Sequence, residues 1–499
     1  MRKKMLIYNT GSSLLNQLVV LICGFILPRF ILSAYGSDVN GLVSSITQFL
    51  GFISFLDLGV GAVVQSAYYE PLANKDYSRV SSLFCYSKKF FRIVASILLI
   101  YVCVLCITYP LLVNSVFDIK YISVLIIIIS ISSFSQYYFA VPHQLLLNAD
   151  QHLYIQANMQ SISVILNTLG SVILIICGQS IHTVKLASSI IFLIRPIFLG
   201  IYVRKNYQIN YKTNVKGFKI DQQWNGLAQH CATVVMNNTD VMVLTAFSSL
   251  RSVSIYSVYF LIVNGVRQLI NSLSNGFNAL LGNLLASKES SLLKRTFSSF
   301  EWLLHTIVVY IFSLTGVLIV PFIMNYTANV TDANYYQPVF GLLLTIANGI
   351  YCIRIPYNTM VCAAGMFRDT QSSALIEMVI NIIASIVLVY YFDLIGVAIG
   401  TILAMTFRTI YFIAYLSRNV VYISLIDTFK QIALDFIQIF LIVFEAIFII
   451  HIINPYAGYF MWCICAFVLS ILSGITVVIF NFLFRKNMIL IAKELLSRK

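Results

Sequence analysis

Charge is what this sequence has least of. Charged residues make up 10% of its 499, where a soluble domain carries roughly 25%. That excludes an ordinary water-soluble globule. With 59% hydrophobic residues and a mean hydropathy of +0.88, the composition is that of a polytopic membrane protein. Acidic residues are scarcer than basic ones, 18 against 32, which leaves a formal charge of +14. No basic soluble segment exists to bind nucleic acid, so the excess is read as the cation bias of cytoplasmic loops. Dyad alternation is missing as well, which excludes a transmembrane β-barrel. There is no P-loop, HExxH, GxSxG or GxGxxG, and no soluble stretch long enough to fold over a nucleotide. The chain is expected to be a transporter rather than an enzyme. The ten cysteines lie in apolar runs; Cys103 with Cys106, and Cys463 with Cys465, have no His or acidic cluster nearby. They read as small apolar filler, with no metal and no cofactor. The opening MRKKMLIYNTGSSLLNQLVVLICGF lacks a small-x-small cleavage site, so it reads as a retained first helix.

Long apolar runs are there in abundance. Each of about fourteen is long enough, at about 20 residues, to cross a ~30 Å hydrocarbon layer as a helix. The expected fold is an all-α polytopic membrane protein. Orientation follows from the cations. Lys120, Lys185 and Arg251 fall on one side, and five arginines fall inside spans. Every other Lys and Arg lies on the opposite side, which puts both chain ends in the cytoplasm.

The chain also repeats itself. IRPIFLGIYVRKN (194–206) aligns with FRTIYFIAYLSRN (407–419), setting Arg195 on Arg408 and Asn206 on Asn419. At nearly the same shift Tyr137 meets Tyr351, Pro142 meets Pro356 and Asn167 meets Asn381. Two six-helix lobes of equal orientation follow, 1–212 and 213–425, related by a pseudo-twofold axis along the membrane normal. Two further helices and a tail occupy 426–499. The tail RKNMILIAKELLSRK alternates basic and apolar positions and is expected along the inner headgroup surface.

The intramembrane cations are Arg29, Arg195, Arg267, Arg354 and Arg408. An arginine at the bilayer centre costs roughly 2.5–3.5 kcal/mol on insertion scales. Four of the five lie roughly 18–24 Å from the outer end of their span, at 1.5 Å per residue; Arg29 is near enough to an interface to snorkel. Two readings stand side by side. Each arginine either pairs with a buried acid, with Asp57, Asp240, Glu377 and Glu445 as candidates, or faces a hydrated cavity that takes an anion. The planar guanidinium grips phosphate oxygens in pairs and keeps its charge when desolvated, which suits a phosphate-bearing cargo. Asp57, Asp240 and Glu377 either couple an ion or tie helices together. Pro28, Pro142, Pro196 and Pro356 lie within spans and each removes a helical hydrogen bond, so kinks are expected there.

These residues carry a resemblance. FLDLGVGAVVQSAYYEPLANKDYSRV (55–80), RIPYNTMVCAAGMFRDTQSSALIEMVINIIASIVLV (354–389) and GVAIGTILAMTFRTIYFIAYLSRN (396–419) are similar to spans of Wzx-type polysaccharide and O-antigen repeat-unit flippases. That family belongs to the multidrug/oligosaccharidyl-lipid/polysaccharide exporter superfamily. The resemblance implies two lobes facing a central cavity in a bacterial cell membrane. It implies a polyprenyl-pyrophosphate-linked oligosaccharide as cargo, turned from the inner to the outer leaflet by alternating access coupled to an ion. It implies membrane lipids and a polysaccharide polymerase as partners, and anion-binding roles for Arg29 and Arg267. Capsule, O-antigen and teichoic acid precursors all fit. The alternatives are a multidrug and toxin cation antiporter of the same superfamily and a non-transporting scaffold of envelope assembly. The antiporters usually carry an acid in the first span, where this chain has Arg29 and none.

Overall fold

The computed structural model describes residues 2–57, 60–113, 117–211, 213, 227–287, 289–421 and 424–497. Every regular element among them is a helix. Packing divides the chain into two compact units, Met1–Ser254 and Ile255–Lys499. The expected lobe boundary at 212–213 adjoins a stretch, 214–226, outside the described residues.

The first unit comprises α1 (Arg2–Gly51), a 3₁₀ turn (Phe52–Asp57), α2 (Val60–Ala73), α3 (Tyr77–Leu112), α4 (Ile119–Ser135), a π turn (Gln136–Ala140) and α5 (Val141–Ala149). It continues with α6 (Leu153–Ile176), α7 (Ile181–Phe192), α8 (Ile194–Asn206) and α9 (Leu227–Phe247). Helix α10 (Leu250–Ala286) begins in this unit and continues into the second. The second unit then runs α11 (Ser290–Tyr326), α12 (Pro338–Ile353), α13 (Ile355–Ala363), α14 (Phe367–Phe392), α15 (Leu394–Asn419), α16 (Leu425–Ile452), α17 (Tyr459–Phe484) and α18 (Lys486–Ser497).

Twelve helical stretches among the described residues are long and apolar enough to cross a membrane. The sequence count of about fourteen differs for two reasons. Helix α1 carries two apolar runs joined at Gly36, whose φ of 80° and ψ of 179° break the helix at a residue without Cβ strain. Helix α9, with its polar Asn237, Asn238, Thr239 and Asp240, is not among the twelve.

The repeat read from sequence recurs in element bounds. Helices α2 and α10 end, α3 and α11 begin, and α5 and α13 both begin and end, at a constant offset of 213 or 214 residues. One difference is instructive. The span of Arg195 is interrupted at Leu193, between α7 and α8, whereas α15 runs unbroken through Arg408. Pro196 lacks the N–H that would close the helix there. Its counterpart Thr409 keeps one, and α15 continues.

Each unit has its own core. In the first, Leu42, Ile46, Val64, Phe84, Leu98 and Tyr109 are almost completely buried. Polar contacts tie α1 to α9 and the start of α10: Asp38 with Arg251 at 3.2 Å, Asn40 with Ser254 at 2.8 Å, Ser45 with Thr245 at 2.6 Å. Gly41 permits this approach, since a Cβ there would sit 1.8 Å from the Leu250 carbonyl oxygen. In the second unit, Phe297, Phe300, Met360 and Phe412 form one core, and Leu314, Ala446, Cys465 and Leu469 seat α16 and α17 on α11. The GVAIG run brings α15 against α14: Cβ atoms at Gly396 and Gly400 would lie 2.2 Å from Leu388 O and 2.5 Å from Ser385 Oγ. Small residues at i and i+4 serve close helix contact in this way.

Candidate functional site

In the first unit, a cavity of about 220 Å³ opens where α4, the π turn, α6 and the α7–α8 break meet. Its lining is Ser132, Ser133, Gln136, Gln160 and Arg195, with Ala140, Phe192 and Pro196 as walls. Two interruptions make the space. The π turn widens α4 just ahead of Pro142, and Pro196 parts α8 from α7. Among the described residues no acid lines the cavity. The Arg195 Nε is buried and has no hydrogen-bond partner among the described residues. Hydroxyl, amide and guanidinium groups converging on one hollow can hold an anion through several oxygens.

In the second unit, three of the arginines read from sequence are gathered. Arg354 sits at the α12–α13 break and Arg408 on α15, and both donate to Glu377 of α14, one to each carboxylate oxygen. Glu377 is fully buried, and Arg354 and Arg408 are 7% and 5% exposed. For these two residues the geometry is that of the pairing reading. A buried carboxylate that accepts from two guanidiniums has neither oxygen idle. Arg267 of α10 lies with its guanidinium 4.7 Å from the Tyr351 ring centre, and Arg354 lies 5.2 Å from the same ring. Tyr351 thus serves as a shared cation–π platform.

The remaining sequence candidates are dispersed. Arg29 is exposed on α1. Asp57 ends the 3₁₀ turn, and its buried Oδ1 makes no hydrogen bond among the described residues. Asp240 is buried on α9. Glu445 accepts from Thr476 and, at 3.5 Å, from Ser473, so it joins α16 to α17, and among the described residues it takes no arginine. Pro356 follows the α12–α13 break. Pro28 lies within helical α1, and the break in that element comes at Gly36.

No protein-family model and no curated protein matches the chain by sequence. Solved structures do match. A lipid II flippase, MurJ, in an inward closed conformation superposes with a TM-score of 0.68 at 15% identity, covering 97% of this chain and 100% of the flippase. An inward-facing multidrug resistance MATE family transporter of the MOP superfamily reaches 0.62 at 12% identity, over 83% of this chain and 98% of its own. The eukaryotic MATE transporter AtDTX14 reaches 0.54 at 14% identity, over 83% and 95%. This chain has their fold. It is a multi-pass membrane protein built as these transporters are.

Sequence reasoning missed a second buried ionic cluster in the same unit. Tyr357 of α13 donates to Glu301 of α11, His305 of α11 and Arg485 after α17 both bind Asp435 of α16, and the His305 and Tyr357 rings, 6.3 Å apart, join the two sets. Glu301 and Asp435 sit near the starts of apolar runs, where an acid reads as solvated. The available signal was the Glu301–His305 spacing of four, which puts both on one helix face.

Proposed function

We propose that this protein is a flippase for polyprenyl-pyrophosphate-linked oligosaccharide repeat units. It carries them from the cytoplasmic to the outer leaflet of a bacterial cell membrane for capsule, O-antigen or teichoic acid assembly. Both chain ends lie in the cytoplasm and the motion is alternating access coupled to an ion. The observation that carries the reading is the Arg195 cavity: a polar hollow within an apolar helical unit, lined by a guanidinium and no acid. Such a site stabilises a diphosphate and repels an organic cation. Arg195, with Arg29 of the same unit, contacts the headgroup. Arg354 and Arg408, bound to Glu377, hold the second unit in shape. The near-complete overlay on a lipid II flippase supports the same reading over a multidrug antiporter, whose relatives overlay a smaller share of the chain.

The test is reconstitution in liposomes with a fluorescent polyprenyl-pyrophosphate sugar in one leaflet. Wild-type protein should transfer it, and Arg195→Gln should be slower by tenfold or more at equal insertion and melting temperature. An unchanged rate in Arg195→Gln refutes the assignment of this cavity. Export of a cationic dye without lipid-linked transfer refutes the flippase reading itself.

A further inference from the structure

A group of cations at one end of the first unit takes no part in the Arg195 cavity. Local contacts fix which end it is. Asn9 of α1 donates to the Gln151 carbonyl at 2.8 Å, the Tyr207 hydroxyl donates to Asp150 at 2.6 Å, and the Asn210 N–H donates to Ser81 Oγ at 3.0 Å. The start of α1, the α5–α6 turn, the end of α8 and the start of α3 therefore lie together. Within α3, residues 93–112 carry no charge, and about 20 helical residues cover a ~30 Å hydrocarbon layer. Lys88 and Arg92 come just before that run, and Arg204 is in the last turn of α8. All three stand at one membrane–water boundary.

Their side chains converge. Lys88 Nζ lies 5.1 Å and Arg204 Cζ 5.9 Å from the centre of the same Tyr211 ring. Arg92 Cζ lies 4.7 Å from the ring of Tyr138, in the π turn. Lys88 and Arg92 are four residues apart on one face of α3, where like charges destabilise a helix. Arg92 and Arg204 are the cations that act on Lys88. No described carboxylate bonds any of the three. Glu70 pairs with Arg79, Asp76 caps α3 at the Arg79 N–H, and Asp150 is held by His152 and Tyr207. The aromatic faces ease the repulsion but supply no counter-charge. Exposed apolar side chains lead from the cluster into the membrane: Ile93, Ile97 and Ile100 on α3, Ile197 and Ile201 on α8.

We propose that Lys88, Arg92 and Arg204 form a headgroup site for an anionic phospholipid, in the leaflet on the side where α1 starts, with its acyl chains along the exposed isoleucines. The two guanidiniums can each take a pair of phosphate oxygens, and the lysine adds a point charge. The apolar stripes argue for a lipid over a free phosphate, which has no use for them. Phosphatidylcholine brings the same phosphate with a choline cation, which this cluster repels, so the site selects by net charge. Basic pockets between membrane helices at this level bind anionic headgroups in the same way. None of the three residues lines the Arg195 cavity.

The experiment titrates the full chain in neutral detergent with phosphatidylglycerol or phosphatidylcholine of identical acyl chains. Native mass spectrometry reads the dissociation constant of the first lipid bound. A cation at a lipid surface contributes about fivefold in affinity. We expect wild type to prefer phosphatidylglycerol by at least tenfold. The triple variant Lys88→Gln, Arg92→Gln, Arg204→Gln should bring the preference below threefold. A control of equal charge change, Lys89→Gln, Lys205→Gln, Arg418→Gln, removes three exposed cations outside the cluster and should keep the preference within twofold of wild type. Glycerophosphoglycerol, the same headgroup without tails, should bind far more weakly than the lipid. No preference in wild type, a preference that survives in the triple variant, or a control that falls as far as the triple variant overturns the proposal. Glycerophosphoglycerol binding as tightly as the lipid overturns it too, in favour of a soluble anion. Where the triple variant does not insert, Arg204→Gln alone, at an exposed helix end, decides by a loss of about fivefold or none. No cargo is present and no transport is measured, so the outcome is independent of the flippase reading.

Discussion

Glu377 is the residue on which most depends in the second unit. It is fully buried and takes one arginine on each oxygen. Glu377→Gln would leave Arg354 and Arg408 facing each other without a counter-charge. Breaking a buried pair from one side costs about 3–5 kcal/mol, so this variant should melt far below wild type in detergent. Arg408→Gln should cost less, because Arg354 keeps its acceptor. Equal melting temperatures for Glu377→Gln and wild type would show that the pair carries no load. A second residue-scale prediction lies outside the spans. His152 Nδ1 is 3.2 Å from Asp150 Oδ2, and Asp150 also accepts from the Tyr207 hydroxyl at 2.6 Å. The Asp150 carboxylate holds the His152 pKa above its ordinary value, against the pull of burial. Burial pushes Asp150 up, but His152 and Tyr207 together outweigh it and its net direction is down. The His152 contribution is therefore full below its unfolded pKa, near 6.5, and is lost as pH rises through the higher folded value. The Asp150 contribution is present above its unfolded pKa and lost in acid. Hydrogen-exchange protection of residues 150–154, corrected for intrinsic rates, should drop between pH 6 and 8.5. In His152→Ala that drop should be absent.

Helix interruptions, more than helices, set the candidate sites. The spans and their repeat were legible in the sequence, because apolar length and a constant offset are local patterns. Pro142, Pro196 and Pro356 were visible as breakers for the same reason. What each break makes room for was not, since the π turn at Gln136–Ala140 and the α7–α8 break meet across more than fifty residues of chain. The partner of Arg354 and Arg408 was on the sequence's short list, but choosing Glu377 over Asp57, Asp240 and Glu445 took coordinates. No chain spacing distinguishes an acid aimed across a helix pair from one that bonds a neighbouring hydroxyl, as Glu445 does with Thr476. The polar seam of α9 on α1 escaped because it rests on close approach at Gly41. The α8 break yields its own prediction. Pro196→Thr, copying Thr409, restores the missing N–H and should join α7 to α8, narrowing the Arg195 cavity. Transport should fall several-fold with no loss of thermal stability. A wild-type rate in this variant would detach the cavity from the break. The counterpart test in α15 is steric. Gly400→Ala puts a methyl 2.5 Å from Ser385 Oγ and 2.8 Å from Ser385 N, and overpacking of this kind costs typically ~1–3 kcal/mol.

At the scale of the whole molecule, one fold is shared by proteins of different cargo. The structures it overlays include a lipid II flippase and multidrug MATE transporters, so topology alone does not choose the cargo. Electrostatics can. Two unit charges 4 Å apart interact by about 4 kcal/mol at an effective dielectric of 20, and every 1.4 kcal/mol is tenfold in affinity. An arginine with no acid in its cavity therefore separates an anion from a cation by several orders of magnitude. The discriminating measurement is equilibrium binding to the full chain in nanodiscs. Farnesyl pyrophosphate and farnesol share a tail and differ in the headgroup, so their affinity ratio isolates the charge. We expect the pyrophosphate to bind at least a hundredfold more tightly, and the gap to shrink as salt screens the exposed part of the field. Arg195→Gln should bring the ratio below tenfold while leaving farnesol affinity unchanged, because the tail contacts are untouched. Equal binding of the two ligands to wild type would remove the electrostatic basis of the flippase reading, and tight binding of a cationic dye to the same cavity would reverse it.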